Sequence, residues 1–373
     1  MNQNQQHYDV IDLFLKLLSF ESITPDDAGA LAFIEGYLEG FEMIYVNKEG
    51  VKNLFMYKQF GKGEHLCFAG HVDVVPPGEK WESNPFVPLV KDGKIFARGA
   101  QDMKSGVAAF VQVLKEVERF DGTLSLLLTS DEEGDAKYGT VLMLEHLKKI
   151  GMLPDYCIVA EPTCEEVFGD AIKIGRRGSI NGYLTIHGKQ GHAAYPEKAV
   201  NPVHLVAPRL VELAGKDLDE GDADFAPSKM VITDIRGGME VTNVTPGELK
   251  IMFNVRNATK TTQEHVKAHI DTVLEGLDYE LKLTQGSYPF VTTRDSKVVK
   301  QMQKSIYSVA GIKTKLSTAG GTSDARFMGA YGIDVVEFGV INDTIHAPNE
   351  HTSIDEVQKL YRVFADLVCH FGE

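Results

Sequence analysis

The first half of the chain alternates short apolar runs with longer segments in which apolar residues recur every three or four positions. The first pattern is typical of buried strands and the second of amphipathic helices. Together they predict strands at 65–69, 123–129 and 156–160 and helices at 10–18, 107–117 and 141–150. Strands and helices that alternate in this way indicate an α/β domain in which helices cover a sheet.

The pattern changes between about residues 178 and 288. Residues 180–187 alternate like a half-exposed strand, and the segment as a whole has the order β-α-β-β-α-β of a ferredoxin-like α+β unit. Its other predicted elements are helices at 202–213 and 261–274 and strands near 231, near 251 and at 279–283. The larger domain then resumes with a helix at 296–310, a strand at 335–338 and a closing helix from 355. We therefore expect a domain of residues 1–177 and 289–373 that contains an inserted smaller domain of residues 178–288.

Composition narrows the possible functions. The chain of 373 residues carries 38 Lys and Arg against 53 Asp and Glu, a formal net charge of −15, which would repel a phosphate backbone. No uncharged apolar stretch approaches the roughly 18 residues of a membrane-spanning helix, and the first residues do not resemble a secretory signal. Four cysteines without C-x-x-C spacing indicate reduced thiols. These features predict a soluble, cytoplasmic protein that binds neither nucleic acid nor a membrane.

Imidazole and carboxylate side chains follow several of the predicted strands, at the edge where ligands of α/β sheets bind. Such donors suit zinc, cobalt or manganese. One shared carboxylate, with one His and one Glu for each of two ions, would use all of these side chains. The five candidate ligands are His71, Asp102, Glu133, Glu161 and His346, with Asp102 as the natural bridge.

Each candidate also has a simpler interpretation when it is taken alone. His71 could be a strand-end histidine that bonds to the backbone, and Asp102 directly precedes a predicted helix, which it could cap. Glu161 and His346 fall in predicted loops and could be surface residues. The occurrence of five such side chains after separate elements favours the metal site.

Two further acids could assist such a site. Asp73 lies two residues after His71 and could accept a hydrogen bond from the second nitrogen of a metal-bound imidazole, which would orient the ring; alternatively it is a solvated residue of the next turn. Three consecutive acids end at Glu133 and repel one another unless cations neutralise them. Because consecutive side chains point in different directions, we assign Glu133 to the metal and Glu132 to general base catalysis.

Seven stretches that carry or surround these residues closely resemble motifs of the M20 family of metallohydrolases. They are Phe-Ala-Gly-His-Val-Asp-Val-Val-Pro-Pro-Gly at 68–78, Ala-Arg-Gly-Ala-Gln-Asp-Met-Lys-Ser-Gly at 97–106, Thr-Ser-Asp-Glu-Glu-Gly at 129–134, Ala-Glu-Pro at 160–162, Gly-Lys-Gln-Gly-His-Ala-Ala-Tyr-Pro at 188–196, Gly-Gly-Thr-Ser-Asp at 320–324 and Asn-Asp-Thr-Ile-His at 342–346. The resemblance extends from about Leu13 to the C-terminal helix. It implies a mixed-sheet α/β catalytic domain with a smaller inserted α+β domain that serves in dimerisation and as a lid.

The resemblance also implies roles for the candidate residues. His71 and Glu161 would bind one zinc, Glu133 and His346 the other, and Asp102 would bridge the two ions, with cobalt as a possible substitute. Asp73 would orient the imidazole of its neighbour. Glu132 would accept a proton from water and later donate it to the leaving amine. The peptide bond between Asp102 and Met103 is expected to be cis.

Arginine side chains indicate an anionic substrate, because a guanidinium group can bind a carboxylate through two parallel hydrogen bonds. Arg176 and Arg256 are the candidates, although an arginine pair such as the one at 176 ordinarily lies on a solvated surface. The resemblance implies further substrate contacts from Gly321, Thr322 and Asn342, and from His192, Tyr195 and Asn243 of the neighbouring subunit in a homodimer. Taken alone, Gly321 could lie in a flexible loop and Tyr195 in a simple turn.

The activity implied by the resemblance is amide hydrolysis. The expected substrate is N-succinyl-L,L-2,6-diaminopimelate, and the products, succinate and L,L-2,6-diaminopimelate, belong to lysine and diaminopimelate biosynthesis. The alternatives are another amidohydrolase of the family, such as an N-acetylornithine deacetylase or a dipeptidase, and a metal- or peptide-binding protein without activity. The chain departs from the common family motif at Ala97, at Gln101 and at 105–106. None of these departures removes a ligand, but Gln101 adjoins Asp102 and could change the hydrogen bonds around it.

Overall fold

The computed structural model describes residues 9–372. The chain divides into two compact units. The larger unit contains the described residues up to Gly175, the segment Thr292–Ser317 and the residues from Ser323 onward, and the smaller unit contains Arg176–Val291 and Thr318–Thr322. Within the described part of the chain, every helix is too short or too polar to cross a bilayer.

The regular elements of the described residues are numbered in chain order. The strands are β1 (Glu42–Tyr45), β2 (Asn53–Gln59), β3 (His65–His71), β4 (Leu89–Lys91), β5 (Lys94–Phe96), β6 (Thr123–Thr129), β7 (Tyr156–Val159), β8 (Ala171–Lys173), β9 (Gly175–Arg176), β10 (Ser179–His187), β11 (Gly191–His192), β12 (Lys229–Gly237), β13 (Val244–Thr245), β14 (Glu248–Arg256), β15 (Tyr279–Ser287), β16 (Phe290–Val291), β17 (Lys315–Ser317), β18 (Asp334–Glu337) and β19 (His351–Ser353). The α-helices are α1 (Val10–Leu18), α2 (Ala30–Tyr37), α3 (Lys104–Glu116), α4 (Thr140–Ile150), α5 (Pro202–Val206), α6 (Leu210–Leu213), α7 (Gln263–Val273), α8 (Lys297–Ala310), α9 (Ala325–Ala330) and α10 (Ile354–His370).

An eight-stranded sheet organises the larger unit, with the strand order β1-β2-β6-β3-β7-β18-β8-β17. Strand β3 pairs in parallel with β6 and β7, and β7 pairs in parallel with β18. Strand β2 runs antiparallel to both β1 and β6, so the sheet is mixed. All residues of β6 after Thr123 are buried, as expected for a central strand that is covered on both faces. The predicted α/β class with a mixed sheet is confirmed.

Aromatic side chains fix the helices on this sheet. Phe68 of β3 stacks on Phe110 of α3 with ring centroids 4.4 Å apart, and Phe110 lies 4.5 Å from Phe364 of α10. All three side chains are fully buried, and burial of a side chain of this size contributes on the order of 1.5–3 kcal/mol to folding. Because β3 ends at His71, the same packing holds the strand that carries the first candidate ligand.

The smaller unit is built on a four-stranded antiparallel sheet with the order β12-β14-β10-β15. Helices α5 and α6 connect β10 to β12, and α7 connects β14 to β15, which is the β-α-β-β-α-β order expected from the sequence. Alternate residues of β10, such as Leu184 and Ile186, form a core with Val266 and Ile270 of α7. Tyr183 of β10 is exposed. The sheet of this unit therefore has one covered face.

The structure corrects two details of the sequence prediction. The helix predicted at 202–213 is interrupted, because Ala207–Arg209 forms a 3-10 turn between α5 and α6. Pro208 accounts for the break, since proline has no backbone N–H group and its ring clashes with the preceding helical turn. The helix predicted from residue 107 begins earlier, at Lys104, directly after the segment that carries Asp102.

Candidate metal centre

Strand direction brings the candidate ligands together. Strands β3, β6 and β7 run parallel, so their carboxyl ends meet at one edge of the sheet. His71 is the last residue of β3, Glu133 follows β6 by four residues and Glu161 follows β7 by two. The other two candidates, Asp102 and His346, come from the loops before α3 and before β19.

The side chains form two groups that share one carboxylate. In the first group, His71 Nε2 lies 3.0 Å from Asp102 Oδ1 and 3.8 Å from Glu161 Oε1. In the second, His346 Nε2 lies 3.2 Å from Asp102 Oδ2 and 3.0 Å from Glu133 Oε1. Within each group, one donor atom from every residue lies within 4.8 Å of the others. Asp102 therefore presents one oxygen to each group.

The composition of the groups fits divalent metal ions. Each contains one imidazole nitrogen and two carboxylates, the donors that zinc and similar ions bind in proteins. Asp102 and Glu161 are buried, as is the Glu133 side chain, which is 8% exposed. Buried carboxylates this close together repel one another strongly unless positive charge compensates them.

The pKa shifts of the donor groups reflect the same concentration of negative charge. Burial, reinforced by the charges of Asp102 and Glu132, raises the pKa of Glu161 well above its ordinary value. Hydrogen bonds to Asp102 and Glu133 raise the pKa of His346 to about 10. Burial opposes ionisation of Asp102, but hydrogen bonds from the two histidines outweigh it and hold the pKa of this carboxyl well below its usual range. The arrangement thus attracts protons or other cations.

Glu132, the predicted general base, is half-buried and belongs to neither donor group. Burial raises the pKa of its carboxyl well above the ordinary value; the charges of Asp324 and Asp102 act in the same direction, whereas His71 opposes them. A carboxyl group in this environment accepts a proton more readily than one in water.

Asp73 contacts the predicted ligands in a way that differs from the expectation. The ring nitrogen His71 Nδ1 donates to the backbone carbonyl of Asp73 at 2.9 Å, whereas the nearest carboxylate oxygen, Oδ1, is 3.6 Å away. The other oxygen, Oδ2, accepts from the backbone N–H of Glu133 at 3.1 Å. Burial raises the pKa of Asp73 to about 6. Asp73 therefore orients the imidazole through its main chain and holds Glu133 through its side chain.

The helix-cap interpretation of Asp102 is wrong. Helix α3 begins at Lys104, its N-cap residue is Met103, and no side chain caps it. The carboxylate of Asp102 faces His71 and His346 instead. The peptide bond between Asp102 and Met103 is cis, as the family resemblance implies.

Two buried residues that the sequence analysis did not single out hold the loop before α3. Glu350 accepts hydrogen bonds from the backbone N–H groups of Gly99, Gln101 and Asp102 at 3.1, 2.8 and 3.2 Å. Its carboxylate also pairs with Arg98 Nη1 at 2.7 Å. Because 252 residues separate Arg98 from Glu350, no local pattern could reveal this pair.

Arg98 also connects the loop before α3 to two others. Its Nη2 group donates to the carbonyl oxygens of Pro77 and His346 at 3.1 and 3.2 Å. The guanidinium group lies 5.3 Å from the ring centre of Trp81, whose indole N–H donates to Pro77 as well. This ion pair thus joins the segment after β3, the loop before α3 and the loop of His346.

The predicted substrate contacts fall in both units, and each is described where it lies. In the larger unit, Asn342 donates from its side chain to the carbonyl of Pro162 at 3.3 Å, directly after Glu161. In the smaller unit, Arg176 Nη1 donates to the carbonyl oxygens of Ala319 and Gly321, both at 3.3 Å. This arginine therefore holds the segment that contains Gly321 and Thr322.

The three residues expected to reach a neighbouring subunit lie together on the smaller unit. His192 ends β11, and its ring centre is 5.7 Å from that of Tyr195. Asn243 accepts a hydrogen bond at its carbonyl from the N–H of Ala193 at 2.9 Å. His192 and Tyr195 are both exposed. Arg256 is exposed at the end of β14.

Two known proteins of closely similar sequence carry the same name. The chain is 66% identical over 365 residues to the succinyl-diaminopimelate desuccinylase of a Sulfurovum species, covering 98% of this chain and 100% of the relative. It is 67% identical over 363 residues to the protein of the same name from a Nitratiruptor species, covering 97% and 100%.

Solved structures share the fold at low sequence identity. Aminopeptidase PepT from Bacillus cereus superposes with a TM-score of 0.81 at 20% identity and 98% coverage of both chains. YxeP of Bacillus subtilis, described as a dinuclear metal-binding peptidase of the M20 family, superposes with a TM-score of 0.71 at 15% identity and 96% coverage of both. The sequence model of Peptidase family M20/M25/M40 matches residues 67–370. The chain therefore belongs to this peptidase family.

Proposed function

We propose that this chain hydrolyses the succinyl amide bond of N-succinyl-L,L-2,6-diaminopimelate, giving succinate and L,L-2,6-diaminopimelate for diaminopimelate and lysine biosynthesis. The observation that carries the chemistry is the pair of donor groups that share Asp102. The names of relatives 66% and 67% identical over nearly the whole chain support the substrate. A cytoplasmic location is in keeping with such a biosynthetic step.

We propose that two divalent ions, zinc or alternatively cobalt, bind at the donor groups. His71 and Glu161 would hold one ion, Glu133 and His346 the other, and Asp102 would give one oxygen to each. When bound, such ions polarise a carbonyl group and lower the pKa of a water molecule.

Glu132 would act as the proton acceptor and donor. It directly precedes Glu133 but lies outside both donor groups, so its carboxylate remains available to take a proton from the attacking water. Returning that proton to the nitrogen of the leaving amine lets the amide C–N bond break and restores the carboxylate. Asp73 would act through its neighbours, by holding the His71 ring and the Glu133 main chain.

Recognition of the substrate carboxylates would fall to Arg256, Thr322 and Asn342, with Arg176 and Gly321. Because Arg176 donates to the carbonyls of Ala319 and Gly321, it would also fix the segment 318–322. Glycine is favoured at position 320, because the φ of this residue is +109°, a conformation that other residues rarely adopt. A rigid segment presents its groups to a carboxylate with less loss of entropy than a mobile loop.

The smaller unit would serve as dimerisation domain and lid. His192, Tyr195 and Asn243 form one exposed cluster, and we propose that they complete the site of the partner subunit. His192 would then stabilise the developing oxyanion of the amide from across the dimer.

Bound ions should stabilise the larger unit. At 100 times its dissociation constant, one zinc ion adds about 2.7 kcal/mol, which corresponds to a rise of roughly 5–10 °C in Tm for a unit of this size. We expect this rise on addition of zinc or cobalt and its reversal by EDTA, as measured by differential scanning calorimetry. Asp102→Asn should lose most of the shift, whereas Asp295→Asn, which alters a carboxylate that is 92% exposed, should retain it. An equal shift in both variants would contradict the assignment.

Substrate specificity is tested by succinate release from N-succinyl-L,L-2,6-diaminopimelate, with acetate release from N-acetylornithine as the paired control. The zinc-loaded chain should hydrolyse the first substrate alone. Its arginine side chains suit the free carboxylate of the succinyl group, which an acetyl group lacks. Hydrolysis of N-acetylornithine alone would leave the metal site standing and refute the substrate assignment.

Glu132→Gln should retain both ions and lose at least about 10²-fold in kcat, since it removes the proton carrier but no donor atom. Metal content by atomic emission and turnover should be measured on the same sample. Glu166→Gln, an exposed control, should behave like the unmodified chain. Turnover within tenfold of normal in Glu132→Gln would exclude this residue as the base.

The dimer is tested by complementation between two inactive variants. His192→Ala and Glu132→Gln, co-expressed with different affinity tags, should each be nearly inactive alone, while the purified mixed dimer should recover one working site. That site combines Glu132 of one subunit with His192 of the other. A monomer in analytical ultracentrifugation, or a mixed dimer without activity, would show that His192 does not act across subunits.

A further inference from the structure

The side chain of Gln101 is buried at 2% exposure and uses both ends of its amide. Its Nε2 group donates to the carboxylate of Asp343 and, at 2.8 Å, to the carbonyl of His351. Its Oε1 atom accepts from the backbone N–H of Thr344 at 2.9 Å. One side chain thus binds both ends of the segment that contains His346.

That segment is a closed loop. Thr344 Oγ1 donates to the carbonyl of His351 at 3.2 Å and accepts from the N–H of His351 at 3.1 Å. His346 lies between these ends with φ of +60°, a left-handed conformation that non-glycine residues adopt only when their surroundings hold them there. The hydrogen bonds of Gln101 supply part of that restraint.

The main chain of Gln101 is held as firmly as its side chain. Its N–H group donates to Glu350 at 2.8 Å, and that carboxylate also accepts from the N–H of Asp102 at 3.2 Å. Gln101 therefore joins the backbone next to Asp102 to the loop of His346. Among the described residues, its side-chain partners are Asp343, Thr344 and His351. They do not belong to β3, which ends at His71, or to β7, which Glu161 follows.

On this basis we propose that Gln101 is a positioning residue that sets the distance between Asp102 and His346, and thereby the affinity of the site formed by Asp102, Glu133 and His346. The inference rests on the proposed function, because it assumes that the donor groups bind metal ions. It predicts an asymmetric effect. Loss of the amide should weaken binding at this site and leave the site of His71 and Glu161 nearly unchanged.

The test is a titration of the EDTA-treated full chain with zinc by isothermal calorimetry, with variants that separate hydrogen bonding from packing. Gln101→Ala removes both, whereas Gln101→Met keeps the volume and removes only the hydrogen bonds. Gln112→Ala is the matched control, since Gln112 of α3 is equally buried and forms hydrogen bonds with Tyr37 at the end of α2 and Glu116 at the end of α3. His346→Ala and His71→Ala identify which binding step belongs to which site.

His346→Ala identifies one zinc-binding step by abolishing it. Both Gln101 variants should lower the zinc affinity of that step by about 10–100-fold, the usual effect of losing a partner that orients a ligand. The step that His71→Ala abolishes should stay within about twofold. Trp81, the only tryptophan of the chain, lies against Arg98, which bonds to His346, so its fluorescence should report the weakened step independently.

Equal weakening of both steps, no weakening of either, or normal affinity in Gln101→Met would each overturn the role of the amide. These results differ from a failure of the proposed function, in which the unmodified chain itself would bind fewer than two zinc ions.

Discussion

The carboxylate of Asp102 faces an imidazole on each side, 3.0 Å from His71 and 3.2 Å from His346. Sharing one carboxylate between two groups places a strict demand on the backbone around residue 102, because a small rotation would bring one oxygen closer to its group and move the other away. Glu350 meets this demand by accepting N–H groups on both sides of residue 100. The carboxylate of Glu350 can be buried because it accepts hydrogen bonds from four donors, namely these three N–H groups and Arg98.

The fold of the larger unit brings donor residues that are far apart in sequence close to Asp102. Parallel strands deliver His71 and Glu161, whose strands pair directly with each other. The aromatic stack of Phe68, Phe110 and Phe364 fixes β3 against the helices, so core packing places the backbone of His71, while the Asp73 carbonyl orients its ring. His346, in contrast, lies on a loop. Arg98 donates a hydrogen bond to its carbonyl, and Gln101 forms hydrogen bonds with the two ends of the loop.

This difference explains what the sequence could and could not predict. The strand 123–129 was predicted with the bounds it has, since a buried central strand is a continuous apolar run. Three of the donors, His71, Glu133 and Glu161, could be proposed because ligands gather at the carboxyl ends of parallel strands. Asp102 and His346 lie in other loops and could be proposed only from their donor type, as members of a complete ligand set. The hydrogen bonds from the loop before α3 to Glu350 could not be predicted, because they join residues about 250 positions apart. The break in the predicted helix 202–213 has a local cause in the sequence, because Pro208 disfavours a helix interior.

Anomalous diffraction above the zinc absorption edge, from crystals of the zinc-loaded chain, tests the shared carboxylate most directly. Two peaks per chain are expected, one next to His71 and Glu161 and one next to Glu133 and His346, with an oxygen of Asp102 bound to each. A single peak, or two peaks of which only one contacts Asp102, would contradict the assignment of this residue as the bridge.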